Sequence, residues 1–312
     1  LPGVSAEDAP KWKSRFDRDH PLAGRIWDAA NARFVAAPVL LARARTAQYV
    51  LLGEQHDNPD HHLLEARVIA SLIEAGRRPA VVFEMLDLAL QPVIDRALAA
   101  HADADQLARA VHWERSGWPS FALYRPVFAR ALAARVPIVA AGLDRGEAMR
   151  IAQAGNAALD PELVSRFALD VPLAPAMQQR LRQEMADVHC GLLPSAMLDS
   201  MVLVQRARDA RLAERVHASG DGRGAVLIAG AAHVRNDRGV PAALELAYGA
   251  SSLAIGLLEV ESGRPHPAAY AAGVGSEQLP FAFTWFTPRA SDVDHCAELR
   301  KSMTGRLKPA GP

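Results

Sequence analysis

The chain is 312 residues long, half of them hydrophobic and 22% charged, with 35 basic residues set against 35 acidic ones. That balance leaves no net field to hold a nucleic-acid backbone, and 6% aromatic residues supply no aromatic-rich basic stripe, so nucleic acid is excluded as a partner. No run approaches the roughly 18 uninterrupted apolar residues of a membrane helix, and the length suits one large α/β domain carrying insertions.

Residues 1–20 are polar and without clear period, which predicts a leader ahead of the fold. The domain is expected over 21–300 and a tail over 301–312. Tyr49-Val50-Leu51-Leu52 is an apolar run of the kind that forms a buried parallel strand. It leads into Gly53-Glu54-Gln55-His56, after which Asn58-Pro59 predicts a helix start, with Asn as cap and Pro at the first helical position. Leu64, Val68 and Leu72 mark one face of that helix and Gly76 stops it. Ala80-Val81-Val82-Phe83 predicts the second strand, with Glu84 at its carboxyl end, which makes a right-handed β-α-β unit. Residues 85–135 read as mainly helical, interrupted at Trp113 to Pro119, and Val136 to Ala140 as a third strand.

The alternation then breaks. Residues 145–220 carry helical patterns without a convincing strand, which predicts a helical subdomain whose longest helix lies near 196–218. The sheet resumes at Ala225-Val226-Leu227-Ile228-Ala229, which runs into Gly230-Ala231-Ala232-His233. Ser252 to Val260 predicts another strand, and Phe281 to Phe286 an edge strand. The fold class is therefore α/β, a central, mostly parallel sheet flanked by helices with helical insertions.

Two strands thus end in the same Gly-x-x-His spacing, and ligands gather at the carboxyl ends of parallel strands. His56 and His233 are expected to face one cleft with Glu54 and Glu84, a set able to activate water, with His56, His233 and Glu84 as metal ligands. The alternatives are a polar loop in which Glu54 and Asp57 complement a helix dipole, and a structural ion pair at Glu84. Arg235 and Arg238 make the His233 loop locally cationic. His61 and His62 match no compact metal motif and read as a surface pair. Cys190 and Cys296 fit either two buried thiols, with core packing the default for Cys190, or one disulfide. The aromatic stretch from Trp113 to Arg125 suits either docking of a helix on the sheet or a flat ligand such as a porphyrin. Dinucleotide, P-loop and serine-hydrolase signatures are absent.

Taken in order, these motifs resemble a known family, the ChaN-type haem-binding lipoproteins, within a wider group that includes Tiki/TraB proteins and erythromycin esterases. The resemblance spans about residues 45–300 and rests on Gly53-Glu54-Gln55-His56 with Asn58 and His61, Phe83-Glu84-Met85, Trp118 with Tyr124-Arg125-Pro126, His189-Cys190, Gln205 with Arg208-Asp209, and Gly230 to His233 continuing to Gly239-Val240-Pro241. It implies an EreA/ChaN-like fold and haem held by tyrosine and histidine at the interface of a homodimer. It further implies a haem-uptake receptor as partner and a periplasm-facing position on the outer membrane through an N-terminal lipid. Gly142-Leu143-Asp144-Arg145 departs from the Asn-x-Pro-Arg-like segment of the family, and the lipid-bearing cysteine is not in this chain. Among Tyr49, Tyr124, Tyr248 and Tyr270, Tyr124 is the expected iron ligand because it lies amid aromatics beside Arg125; His189 and Arg235 complete the expected haem set. The resemblance also carries the alternative of a hydrolase, of esterase or peptidase type, using His56, His233, Glu54 and Glu84 with or without a divalent metal.

Overall fold

The computed structural model describes residues 11–273 and 276–306, with side chains to residue 301. The first ten residues of the expected leader and the last six of the expected tail lie outside the described residues. In chain order the elements begin with β1 (Ile26–Asp28), β2 (Arg33–Val35), α1 (Ala37–Thr46), β3 (Tyr49–Glu54), α2 (Pro59–Glu74) and β4 (Ala80–Asp87). There follow α3 (Gln91–Ala99), α4 (Ala104–Ala110), α5 (Phe121–Ala133), β5 (Ile138–Gly142), α6 (Arg145–Ala154), α7 (Pro161–Arg166) and α8 (Pro175–Val188). The chain closes with α9 (Leu198–Ser219), β6 (Ala225–Gly230), α10 (Gly239–Tyr248), β7 (Leu253–Glu259), α11 (Pro267–Gly273), β8 (Phe283–Thr287) and α12 (His295–Arg306).

Two compact units result. Among the described residues the larger comprises 11–144 and 208–290, the smaller 145–207 and 291–306. The larger unit holds an eight-stranded sheet in the order β2-β1-β8-β7-β3-β6-β4-β5, parallel from β8 to β5 and antiparallel at β1 and β2. The α/β expectation holds. The expected edge strand is instead interior, since β8 pairs with β7 on one side and β1 on the other; its run Phe283, Trp285 and Phe286 is buried on both faces, which an edge would not require.

Burial explains the elements. All six residues of β3 are buried, and the apolar stripe of α2 (Leu64, Val68, Ile69, Leu72) lies in one core with Val50, Leu52, Phe83 and Ile228. Phe83 stacks on Phe128 of α5 at 4.3 Å between ring centroids, and Trp113 meets Phe121, Tyr124 and Phe128 at 5.0–5.8 Å, so this aromatic cluster does dock helix on sheet. Asn58 caps α2, its side chain accepting from the N–H groups of Asp60 (2.8 Å) and His61 (3.3 Å). The amide side chain of Asn58 also donates to Glu259 at the end of β7 and to the Pro288 carbonyl. Part of the expected leader belongs to the fold: the backbone N–H groups of Lys13 and Ser14 each donate to the Asp60 carboxylate at 2.8 Å, and Ser14 is buried. The strand expected to end at Phe83 runs on to Asp87, with a register shift against β5 between Phe83 and Asp87, so Glu84 emerges at an irregularity inside β4.

The smaller unit is helical. Leu181, Met185, Leu198 and Val202 form its core, and Cys190 and Cys296 are joined as a disulfide. The bridge overturns the expectation of buried thiols and removes both cysteines as metal ligands. No helix among the described residues is long and apolar enough to cross a membrane.

Candidate functional site

The two Gly-x-x-His motifs are built into one another. β3 and β6 pair in parallel with Glu54 opposite Gly230, so the loops leaving them stand side by side. A Cβ on Gly53 would come within 2.9 Å of the Ala231 Cα and 3.0 Å of the Val234 Cβ, in the turn that carries His233. A Cβ on Gly230 would reach 3.0 Å from His56 Nε2 and 3.8 Å from Glu84 Oε2. Each glycine therefore makes room for the other motif, which is a physical reason for the repeated spacing.

Around Glu54 the chain gathers three polar side chains. Oε1 lies 2.8 Å from His56 Nδ1 and accepts the Tyr124 hydroxyl at 2.9 Å, while Oε2 lies 2.7 Å from His62 Nε2, though off the angle of a hydrogen bond. Burial pushes the Glu54 carboxyl up, but the contacts from His56 and His62 outweigh it and hold the group below the usual carboxylate range. Burial also drives the Tyr124 phenol far up, reinforced by the Glu54 charge. His56 is 31% exposed and Trp118 packs on its ring at 4.7 Å between centroids. Burial lowers the basicity of His56, yet Glu54 and then Glu84 raise it by more. One turn along α2 sits Glu65, fully buried, its carboxyl pushed well up by burial and by Glu54.

Around Glu84 a second set forms. Its Oε2 accepts the Gly230 N–H at 2.9 Å and its Oε1 lies 3.3 Å from His233 Nε2; the other ring nitrogen of His233 is 2.6 Å from Asp209 Oδ1 on α9. Against burial, which favours the neutral ring, Glu84 and Asp209 raise His233 to about 10. Burial likewise opposes the charge on Glu84, but His233, His56 and the Gly230 N–H bring it to about 2. His233 is thus an imidazolium clamped between two carboxylates, a donor rather than a base at neutral pH. A narrow cavity of about 40 Å³ opens beside Glu84, lined also by Trp118, Gly142, Leu143 and Arg208. A second cleft, of about 410 Å³, starts at Glu54 and Gln55 and reaches Leu257, Leu258, Arg264, Tyr270 and Arg289.

The four residues expected to act together, His56, His233, Glu54 and Glu84, do converge. Within the expected haem set, Tyr124 and Arg125 are not brought together. Tyr124 and Arg125 are neighbours in sequence but point apart: the Tyr124 hydroxyl is buried on Glu54, whereas Arg125 is exposed and paired with Asp105. Arg235 is buried against Asp237. His189 belongs to the smaller unit, where its Nδ1 lies 2.8 Å from the Met185 carbonyl. The expected surface pair is also wrong, because His61 and His62 are both fully buried. His61 Nδ1 accepts the Gln55 N–H at 2.8 Å, which places the ring proton on Nε2, donated to Thr287 Oγ1 at 2.8 Å. Nor is the expected metal trio the one drawn tightest. Among the described residues, the group whose ligand atoms all come within 4.8 Å of one another is Glu54, His62 and Glu65, not His56, His233 and Glu84. The signal for Glu65 was present: His61, Glu65, Val68 and Leu72 follow a helical stripe, which puts a carboxylate on the apolar face. Asp209 has no such signal, since only tertiary structure brings it to His233.

Fold and site define an α/β protein with a polar, strand-end centre in a mixed, mostly parallel sheet. The chain belongs to the family described as haem-binding uptake, Tiki superfamily, ChaN, which it matches over residues 40–244. Its fold is similar to a solved structure described as cofacial heme binding to ChaN of Campylobacter jejuni, at 19% identity and a TM-score of 0.65, over 83% of this chain and 95% of that one. Weaker similarity, with a TM-score of 0.45 in each case, extends to the erythromycin esterase EreC in its open conformation (14% identity, 83% and 95% covered) and to the type III effector HopBA1 (13% identity, 89% and 98% covered). No curated protein matches the chain in sequence.

Proposed function

We propose that this protein binds haem and serves haem or iron uptake; the observation that carries the reading is its family membership across residues 40–244. A porphyrin does not fit the strand-end cavity, whose 40 Å³ falls far short of the roughly 300–1,000 Å³ that encloses a small-molecule ligand. The neighbouring cleft of about 410 Å³ is of ligand size, with apolar walls at Leu257 and Leu258, a tyrosine, and the carboxylates of Glu54, Glu259 and Glu261. Arg264 and Arg289 also line it; they pair with Glu261 and Asp17 and would exchange those partners for propionates. Tyr270 therefore takes the ligand role that the sequence suggested for Tyr124. Its hydroxyl accepts the Glu261 N–H at 2.7 Å, although burial outweighs that contact and pushes the phenol up, and Phe286 packs edge-on against its ring. Haem, once bound, brings the chemistry of its own iron. The chain's part is to hold it, to pair its propionates and to keep its apolar face from water.

The cofacial haem of the Campylobacter relative makes a homodimer the assembly we propose, with one haem contributed by each copy. The Cys190–Cys296 bridge supports an oxidising compartment, in keeping with a periplasm-facing, lipid-anchored position and an uptake receptor as partner. Haemin titration followed at the Soret band tests the ligand assignment. Tyr270→Phe is expected to abolish the saturable change and Tyr124→Phe to keep it; the reverse pattern would return the ligand to the buried phenol.

One observation favours a second reading. His56 is held by Glu54 and His233 by Glu84 and Asp209, and the Glu84 charge acts on both rings, an arrangement able to activate water for hydrolysis, with His56 as base and the His233 imidazolium as donor. An ester and peptide screen with His56→Ala as control tests it, and turnover unchanged in that variant would remove it.

A further inference from the structure

Behind the strand-end histidines, three buried side chains remain poorly matched to their surroundings. Glu54, His62 and Glu65 are each at most 2% exposed. Neither Glu65 oxygen has a hydrogen-bond partner among the described residues, and the same holds for Glu54 Oε2 and for both ring nitrogens of His62. Buried polar atoms are normally satisfied, so five in one place call for a group that would satisfy them. A proton on Glu65 meets part of the need, because it lets Glu65 donate to Glu54; it leaves the second Glu65 oxygen and both His62 nitrogens as they were.

We infer that Glu54, His62 and Glu65 form a buried site for a divalent cation of the zinc type. The ligand atoms lie within 4.8 Å of one another, and Glu54 Oε2 and His62 Nε2 are 2.7 Å apart. Ligands bound tetrahedrally at about 2.1 Å are roughly 3.4 Å apart, so small side-chain rotations bring these three into range. Two carboxylates and a neutral imidazole suit a borderline cation, whose two positive charges would cancel those of the carboxylates. Only Glu54 Oε2 is used. Oε1 stays with His56 and Tyr124, so the metal would fix from behind the carboxylate that orients the Nδ1 face of His56. The disulfide keeps both cysteines from competing. This site shares Glu54 with the edge of the proposed haem cleft but uses neither Tyr270 nor the cleft arginines, so it stands whether or not haem binds there.

The test is metal analysis of the intact protein after equilibration with Zn²⁺ and desalting, with Co²⁺ as a spectroscopic probe. Wild type is expected to retain about one equivalent per chain and to show the visible bands of low-coordinate Co²⁺. Glu84→Gln and Tyr270→Phe are expected to behave as wild type. Glu65→Gln keeps the shape and removes the charge; it should lose the metal and the Co²⁺ bands while tryptophan fluorescence reports an intact fold. Should that variant misfold, His62→Gln serves the same purpose. Failure of wild type to retain Zn²⁺ would overturn the inference and leave Glu65 as a buried protonated acid. Retention in Glu65→Gln with loss in Glu84→Gln would overturn it too, and place the cation at the strand ends.

Discussion

Replacing Gly53 by Ala tests whether the two motifs really pack through their glycines. The added Cβ would stand 2.9 Å from the Ala231 Cα and 3.0 Å from the Val234 Cβ, whereas carbon atoms prefer about 3.5–4.0 Å. The obstacle is backbone and a β-branched side chain, so strand β3 and the 231–234 turn must part by roughly half an ångström or more, at a cost of about 1–3 kcal/mol. Reduced freedom of the unfolded chain returns about 0.4–1 kcal/mol, which leaves a net loss of up to about 2.6 kcal/mol, with a mid-range of about 1.3 kcal/mol. Gly230→Ala meets instead the far side of the His56 ring at 3.0 Å, which can swing aside, so its cost is expected below about 1 kcal/mol while the His56 resonances move. All five tryptophans, 12, 27, 113, 118 and 285, lie in the larger unit, so urea unfolding followed by their fluorescence reports on that unit. Gly53→Ala as stable as wild type, or Gly230→Ala the more damaging of the two, would refute the reasoning.

Four further outcomes are expected. Burial holds His61 neutral, with its pKa lowered from 6.5 to about 3, so the unfolded chain binds the extra proton and stability falls as pH drops below 6.5. With a chelator present, urea unfolding should show about 2 kcal/mol lost between pH 6.5 and 4.5 in wild type; an equal loss in His61→Gln would count against it. Gly142→Ala would set a Cβ 2.3 Å from the Glu84 carbonyl oxygen, and a loss of at least about 1–3 kcal/mol in the same assay is expected, with a neutral result contradicting the close approach of β4 and β5. Asp209→Asn should lower the His233 pKa from about 10 in an NMR titration, while Glu84 still keeps it above 6.5; an unmoved value would remove Asp209 from the clamp. Native protein should show no free thiol, and Cys190→Ser, which opens a closure of 106 residues, should destabilise the smaller unit by up to about 4–5 kcal/mol; reactive thiols in native protein would deny the bridge.

The sequence revealed what depends on local pattern. Strands β3, β5, β6 and β7 are short apolar runs followed by glycine or a polar residue, and Asn58-Pro59 and Gly76 bound α2 through cap and turn chemistry. Strands β1 and β2 escaped because each is three residues long and too short for periodicity to register. Convergence of His56, His233, Glu54 and Glu84 followed from the rule that strand ends meet at one edge of a parallel sheet. Burial of His61 could not be anticipated, since it hangs on Thr287, 226 residues away. The parting of Tyr124 and Arg125 was hidden for a related reason: adjacent residues on a helix need not point the same way, and on α5 these two do not.

The most direct test of the central claim is a visible titration of purified, metal-stripped protein with haemin, run alongside sedimentation. The account predicts a saturable Soret change with a stoichiometry of about one haem per chain and a haem-dependent shift toward dimer. A linear, unsaturated change equal to that of haemin added to buffer would contradict it, and would leave the strand-end histidines and glutamates as the seat of function.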